Sequence, residues 1–209
     1  MALNKLKFNS INVTPAASEA IRFNSSANGL ETASAGGSLV KIASTTASSS
    51  SSISFTSGID STYKEYIFIL NNIHPATDNV IFHWNGSIDG GSNYNVTKTT
   101  TNFESLHGEG GSSGSLGYNA GGDLAQSTSY HKICGSIGGG NDESVSGFFH
   151  LFEPSSTTFV KHFIARTSAY FENDLMGDTF IAGYLNTTSA INALDFKMSS
   201  GNIDAGTIT

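Results

Sequence analysis

Two short apolar runs restrict the fold of this chain more than any other feature. The first covers residues 66–70 (YIFIL) and is apolar on both of its alternating faces, which is typical of a strand buried on both sides. In the second, residues 80–84 (VIFHW), Val80, Phe82 and Trp84 share one face and His83 lies opposite. That pattern indicates a strand with one face in a core and one in water. We therefore expect the two runs to form an antiparallel pair at the centre of a β-sandwich.

Other segments repeat the strand pattern and are separated by turn-forming residues. They are residues 39–42, the hydroxyl-rich stretch 44–55, and residues 131–137, 145–152, 160–168, 178–185, 191–199 and 203 onward. Leu194, Phe196 and Met198 share one face of their segment, and Asp195 is predicted to point outward with Lys197. Residues 108–122 are rich in glycine and predict a long loop or a pair of irregular loops.

These segments predict an all-β fold, an antiparallel two-sheet sandwich of jelly-roll type, over residues 39–209. Residues 1–38 form a separate segment that is too poor in apolar residues to fold alone. Residues 15–21 could form one or two helical turns, with Thr14 as the N-cap and Pro15 at the first helical position. Residues 1–38 are either an assembly arm that packs on a neighbouring subunit or a flexible leader, and we favour the arm because a pure linker would not carry such apolar residues. The apolar residues of this arm are Phe8, Ile11, Val13, Ile21 and Phe23.

The composition excludes several partners. Charged residues make up only 13% of the chain and the net charge is −7, with no cluster of Lys or Arg, so nucleic acid is not an expected partner. No apolar run approaches the length of a membrane span or of a secretory signal. Cys134 is the single cysteine, which rules out an intrachain disulfide. We expect the chain to fold in a reducing cytoplasm and Cys134 to be a buried apolar residue.

The sequence contains no catalytic motif, and we predict that the protein is not an enzyme and holds no cofactor. A Gly-x-Ser-x-Gly motif between a strand and a helix is missing. The acidic pairs Asp60 with Glu65, Asp142 with Glu143, and Glu172 with Asp174 fall in turns or at strand ends, where acids serve solubility and turn formation.

We also predict no metal site. His83, His131, His150 and His162 lie in predicted strands, and His150 and His162 could face each other across adjacent strands. The spacing that zinc sites use is missing, however. Calcium bound by loop acids such as Asp142 or Asp174 stays an alternative, without a helix-loop-helix calcium motif to support it.

Four tyrosines lie in or next to the glycine-rich segments and are candidates for stacking on a sugar ring. They are Tyr94, Tyr118, Tyr130 and Tyr170. The alternative interpretation is that they hold long loops in place. Trp84 is expected in the core because it is in phase with Phe82.

Four stretches together resemble segments of structural proteins from tailed bacteriophages, especially phages of marine bacteria. They are INVTPAASEAIRFNSSANGLETASAGGSLV, FTSGIDSTYKEYIFILNNIHPATDN, HLFEPSSTTFVKHFIA and AGYLNTTSAINALDFKMSSGNIDAGTI. The resemblance covers nearly the whole chain and lies in the sequence pattern of its strand and turn segments. It implies a virion protein that is assembled in the host cytoplasm, as a tail fibre or appendage or as a capsid decoration subunit.

Two functions of different classes follow. The first is a non-enzymatic structural protein, expected to form a homotrimer, whose partners are copies of itself and other virion proteins. The second is a carbohydrate-binding, lectin-like module that recognises a glycan on the host surface. A glycan-cleaving depolymerase would need two carboxylates in a groove, and the sequence offers no convincing pair.

Overall fold

A computed structural model describes residues 19–34, 39–111 and 114–209, and the regular structure within these ranges is β-strand throughout. None of these residues belongs to a helix that could cross a membrane. The strands of the first half are β1 (Glu19–Phe23), β2 (Leu30–Ser34), β3 (Thr45–Thr46), β4 (Ile53–Phe55), β5 (Glu65–Pro75), β6 (Val80–Ser87), β7 (Lys98–Gly108) and β8 (Gly114–Tyr118). Those of the second half are β9 (His131–Ile137), β10 (Val145–Phe152), β11 (Lys161–Phe171), β12 (Leu175–Leu185), β13 (Ala193–Met198) and β14 (Ile203–Ile208).

The chain divides into two compact units between Lys41 and Ile42. In the first unit, β1 and β2 form an antiparallel hairpin in which Phe23 pairs with Leu30. Residues 1–18 and 35–38 lie outside the described ranges, and with them Phe8, Ile11, Val13 and most of the predicted helical turn. Ile21 lies in β1 and not in a helical turn, because residues 19–23 pair along their whole length with β2.

In the second unit the strands form two layers. The first layer has the order β3-β14-β5-β10-β11-β12-β7-β8, and the second has the order β9-β6-β13-β4. All pairs are antiparallel, and one residue pair between β11 and β9 links the layers. The predicted antiparallel two-sheet sandwich is therefore confirmed.

Aromatic side chains fill the space between the layers. Trp84 of β6 packs against Phe149 of β10 and Phe163 of β11, with ring centroids 4.3 and 4.7 Å apart. Phe196 of β13 faces Phe68 of β5 at 5.6 Å. These edge-on and tilted contacts have the geometry that aromatic pairs prefer, and they lock the two layers face to face.

The predicted pairing of the two apolar runs is wrong. The first run lies in β5, which pairs with β10 and β14, whereas the second lies in β6, which pairs with β9 and β13. The connection after β5 carries the chain from one layer to the other, and Asn79 at its end has a positive φ of 52°. Asparagine tolerates that conformation better than most residues, so the connection is a cross-layer arch and not a hairpin.

Three local predictions also need correction. The first run is not buried on both sides, because Ile69 lies exposed on the outer face of the first layer. Residues 39–42 are not a strand, since no strand of the described chain pairs with them. The glycine-rich stretch 108–122 is neither one long loop nor a pair of irregular loops alone, because β8 pairs with β7 from Gly114 to Tyr118 and forms a hairpin.

Candidate functional site

An open pocket of about 900 Å³ lies beside the loop between β10 and β11. Phe159 in this loop is 73% exposed. The Ser156 hydroxyl accepts hydrogen bonds from the backbone N–H groups of Thr158 and Phe159, at 3.3 and 3.1 Å. These bonds fix a turn that presents the phenyl ring to solvent. The pocket is lined by Lys64, Phe152, Glu153, Ser155, Ser156, Thr157, Thr158, Phe159, Val160, His162 and Thr188.

The exposed wall of the pocket is mainly apolar in area, and its polar groups are mostly hydroxyls with little free charge. Lys64 Nζ and Glu153 Oε2 form an exposed ion pair at 3.0 Å, and the neighbouring side chains are mainly hydroxyls. A hydroxyl both donates and accepts hydrogen bonds. One exposed ring surrounded by such groups suits a neutral ligand that has an apolar face and many hydroxyls of its own, which is the chemistry of a sugar.

The four predicted tyrosines lie outside this pocket. The hydroxyl groups of three of them are hydrogen-bonded to Asp or Glu side chains of the same chain. The Tyr130 hydroxyl donates to Asp195 Oδ2 at 2.8 Å, and Lys197 Nζ lies 3.9 Å from the ring centroid. Burial raises the pKa of Tyr130 well above its ordinary range, and the bond to Asp195 adds to that shift. The prediction that Asp195 points outward is wrong, because its carboxylate is buried and accepts hydrogen bonds from the hydroxyls of Ser54 and Tyr130.

Tyr170 and Tyr118 also hold loops together. The Tyr170 hydroxyl lies 2.8 Å from Glu109 Oε2 and 3.0 Å from Asp174 Oδ1, and that of Tyr118 donates to Asp123. The fourth, Tyr94, is half-buried, and its carbonyl accepts a hydrogen bond from the Asn85 amide at 2.6 Å. Contact of these tyrosines with a glycan stays a prediction.

The outer face of the first layer carries a row of side chains that sequence reasoning missed. Strand register places six residues side by side across β5, β10, β11, β12, β7 and β8. In that order they are Ile69, Phe148, Arg166, Phe180, Phe103 and Tyr118. Phe103 and Phe180 stack in parallel at 4.8 Å, and the Arg166 guanidinium lies 4.4 Å from the centroid of Phe180.

His131 of β9 is buried between the layers, and its hydrogen bond to Thr100 of β7 links them. Trp84 Nε1–H donates to His131 Nδ1 at 3.2 Å, so the ring is neutral and carries its proton on Nε2. Nε2 then donates to Thr100 Oγ1 at 2.9 Å. Burial lowers the pKa of His131 to about 3, and the imidazole serves as an interlayer hydrogen-bonding group.

Lys98 lies buried near the same histidine. Its Nζ donates to the Ser129 carbonyl at 2.7 Å, and burial lowers its pKa to about 7. The alternate residues Lys98, Thr100 and Asn102 all point inward from β7 and are all polar. Residues 95–101 therefore do not show the alternation of apolar and polar residues that marks a half-buried strand. For that reason the sequence did not reveal that β7 begins in this stretch.

The remaining strand histidines do not come together. His150 is in register with Ile164 of β11 and not with His162, and its Nε2 lies 3.1 Å from Glu65 Oε2. Among residues 19–34, 39–111 and 114–209, no group of three or more His, Cys, Asp or Glu side chains is placed to hold a metal ion.

No protein-family model matches the chain, and neither a curated protein nor a solved structure shows significant similarity to it.

Proposed function

We propose that this protein is a non-enzymatic structural subunit of a bacteriophage particle, a tail fibre, an appendage or a capsid decoration that assembles as a homotrimer. Residues 1–38 would anchor each copy to neighbouring subunits, and the sandwich would face outward. The observation that carries the proposal is the N-terminal hairpin. Its Phe23 is 72% exposed, and Ile21 and Leu30 lie exposed on the same face.

A two-stranded hairpin is marginally stable by itself in water. The Ile21–Phe23 face therefore gains stability if a neighbouring subunit covers it. The opposite face is polar, with Arg22 and Glu31 joined by an exposed ion pair at 3.0 Å. The hairpin thus has one face suited to docking and one suited to solvent. The phage resemblance, together with a surface rich in hydroxyls and poor in charge, supports the same role.

Deleting residues 1–38 should leave a folded sandwich that no longer joins particles, because the core of the second unit is drawn from residues 47–208. Circular dichroism and thermal unfolding would check the fold, and immunogold electron microscopy of particles would check incorporation. Phe23→Ser should weaken incorporation strongly, whereas Arg22→Ser on the polar face should leave it nearly unchanged. Normal incorporation of the truncated protein would overturn the anchoring role.

The same microscopy tests the location. Gold over the capsid would indicate a decoration protein, and gold at the tail tip or fibres would indicate an appendage. Unlabelled particles, with the protein found only in the lysate, would contradict the virion role.

The pocket beside the β10–β11 loop favours a second candidate, a carbohydrate-binding module for a host-surface glycan. On a glycan array, Phe159→Ala should weaken binding at least about tenfold, equivalent to about 1.4 kcal/mol, because the exposed ring would lose its stacking surface. Phe103→Ala, on the outer sheet face, is the matched control. A loss on Tyr94→Ala or Tyr118→Ala instead would move the site to those loops. A blank array with the unaltered protein would leave only the structural role.

A further inference from the structure

Strand β8 forms an open sheet edge. It pairs with β7 on one side, and none of the described strands pairs with its other side. All five of its residues are exposed, with Leu116 at 74% and Tyr118 at 60%. Of the other outer strands of the two layers, β3 has two residues and β4 has three, and the seven-residue β9 is largely buried.

Proteins usually protect a sheet edge from pairing with another chain by charges, by proline or by making the edge strand very short. The sequence of β8 is Gly-Ser-Leu-Gly-Tyr, which has neither a charged residue nor a proline. Asp123, close to this strand in sequence, accepts a hydrogen bond from the Tyr118 hydroxyl of the same chain. A second chain can therefore approach this edge without meeting a charge on the strand itself, although each copy has a net charge of −7.

The two glycines of β8 have no explanation within one copy. Neither Gly114 nor Gly117 has a positive φ. A Cβ added at Gly117 would have no neighbour within 4 Å, and one at Gly114 would be 3.8 Å from its nearest neighbours, in ordinary contact. Glycine inside a strand costs stability and often marks a place where another backbone approaches closely.

We propose that β8 pairs antiparallel with β8 of a second copy of this chain, about a two-fold axis at Leu116. In that register Leu116 faces Leu116 of the second copy, Tyr118 faces Gly114, and Ser115 faces Gly117. The large Tyr118 ring then lies over a residue that has no side chain, and the glycine beneath the ring is shielded from water. The strand is thus complementary to itself in this one register.

The pairing joins the first layers of two copies into one continuous sheet, in which the row from Ile69 to Tyr118 of each copy ends opposite Gly114 of the other. It is an isologous contact, so it joins copies in pairs. The proposal goes beyond the proposed function and does not rest on it, because it holds for the purified chain without a particle. If the chain also forms trimers through its N-terminal segment, β8 pairing would join two trimers.

Light scattering after size-exclusion chromatography of the full chain tests the pairing. Leu116→Lys and Leu116→Glu each place like charges opposite each other at the axis, and each should raise the dissociation constant roughly tenfold or more and halve the mass. Leu116 is exposed, so both variants should fold normally. Mixing the two variants one to one should restore the unaltered mass. Met176→Lys, at an exposed position of β12 away from the edge, is the matched control and should keep the unaltered mass.

Each outcome separates this inference from the proposed trimer. A change from dimer to monomer supports β8 pairing and contradicts the trimer, whereas a change from hexamer to trimer supports both. A trimer whose mass Leu116→Lys leaves unchanged would overturn β8 pairing and keep the trimer. A protein that is a single chain at all concentrations would overturn both.

Discussion

Replacing Trp84 by alanine is expected to lower the free energy of unfolding by about 3–5 kcal/mol. The indole is fully buried and lies between Phe149 and Phe163, which belong to the opposite layer. Removing it leaves a cavity at the point where the layers meet, and it removes the donor that fixes His131. Since small domains have total stabilities of about 5–15 kcal/mol, this change should remove a large part of the stability of the sandwich.

Urea unfolding followed by far-ultraviolet circular dichroism would measure the effect, because Trp84 is the only tryptophan and its fluorescence is lost with the substitution. Trp84→Phe keeps a ring but lacks the N–H, so it should cost less than the alanine variant. Phe159→Ala is the matched control, since it removes an aromatic ring from an exposed position and should change stability by no more than about 0.5 kcal/mol. Equal losses in Trp84→Ala and Phe159→Ala would contradict the role given to Trp84.

The inward face of a strand was predictable where apolar residues alternate with polar ones. Val80, Phe82 and Trp84 are buried as predicted, and so are Leu194 and Phe196. The period of two in a strand fixes which side chains share a face. It does not fix which strand lies alongside, because the pairing partners of β5 and β6 are far away in sequence. Consecutive strands are often neighbours, and here the arch at Asn79 places them in different layers.

Burial was predicted wrongly for segments that do not alternate between apolar and polar residues. Ile69 belongs to a run that is apolar on both faces, which favoured burial on both sides, yet it lies next to Phe148 in the outer row. Lys98 shows the opposite case, a basic residue whose buried Nζ donates a hydrogen bond to a backbone carbonyl. A local sequence pattern shows whether a side chain is polar, but it does not show which group, distant in sequence, will form a hydrogen bond with it in the folded protein.

The candidate pocket was beyond prediction for a related reason. Phe159 stands in a run of hydroxyl residues between two strands, and its exposure depends on the turn that the Ser156 hydroxyl holds. Its other walls come from Lys64 and Thr188, which are distant in sequence. Tyr94 and Tyr130 lie outside strands as predicted, whereas Tyr118 and Tyr170 lie in β8 and β11. The acids that bind Tyr130 and Tyr170 were not foreseen, because they come from other segments.

Acidification is expected to destabilise the protein well before its carboxylates are protonated. Burial lowers the pKa of His131 from an ordinary 6.5 to about 3 and that of His83 to about 4. Between those values and 6.5 the unfolded chain binds more protons than the folded one, so stability falls as the pH falls through that window. For His131 alone the loss from pH 6.5 to pH 4 is on the order of 3 kcal/mol. Protonation at Nδ1 would also break the hydrogen bond from Trp84.

Lys98 extends the same trend to alkaline pH. Its pKa is lowered from 10.5 to about 7 in the folded chain, so the unfolded chain again binds more protons between those values, and stability keeps rising above pH 7. The rise should end near pH 9 to 10, because burial raises the pKa of Cys134 to about 12 from 9.0 and that of Tyr130 from 10.0. Those groups stay protonated in the folded chain while the unfolded chain loses their protons, which reverses the slope. A stability maximum on the alkaline side of neutrality follows.

Urea unfolding at a series of pH values from 4 to 10 would check this profile, and His131→Gln assigns its acidic part. The variant is expected to be less stable than the unaltered protein at pH 7, because glutamine does not reproduce the two hydrogen bonds that the imidazole makes with Trp84 and Thr100. It should also lose less additional stability between pH 6.5 and pH 4, since glutamine does not titrate. His162→Gln, at an exposed position of β11, is the matched control and should keep the steep acidic slope. If both variants keep that slope, His131 does not cause the acid sensitivity, and its hydrogen bonds to Trp84 and Thr100 would have to tolerate a charged imidazole.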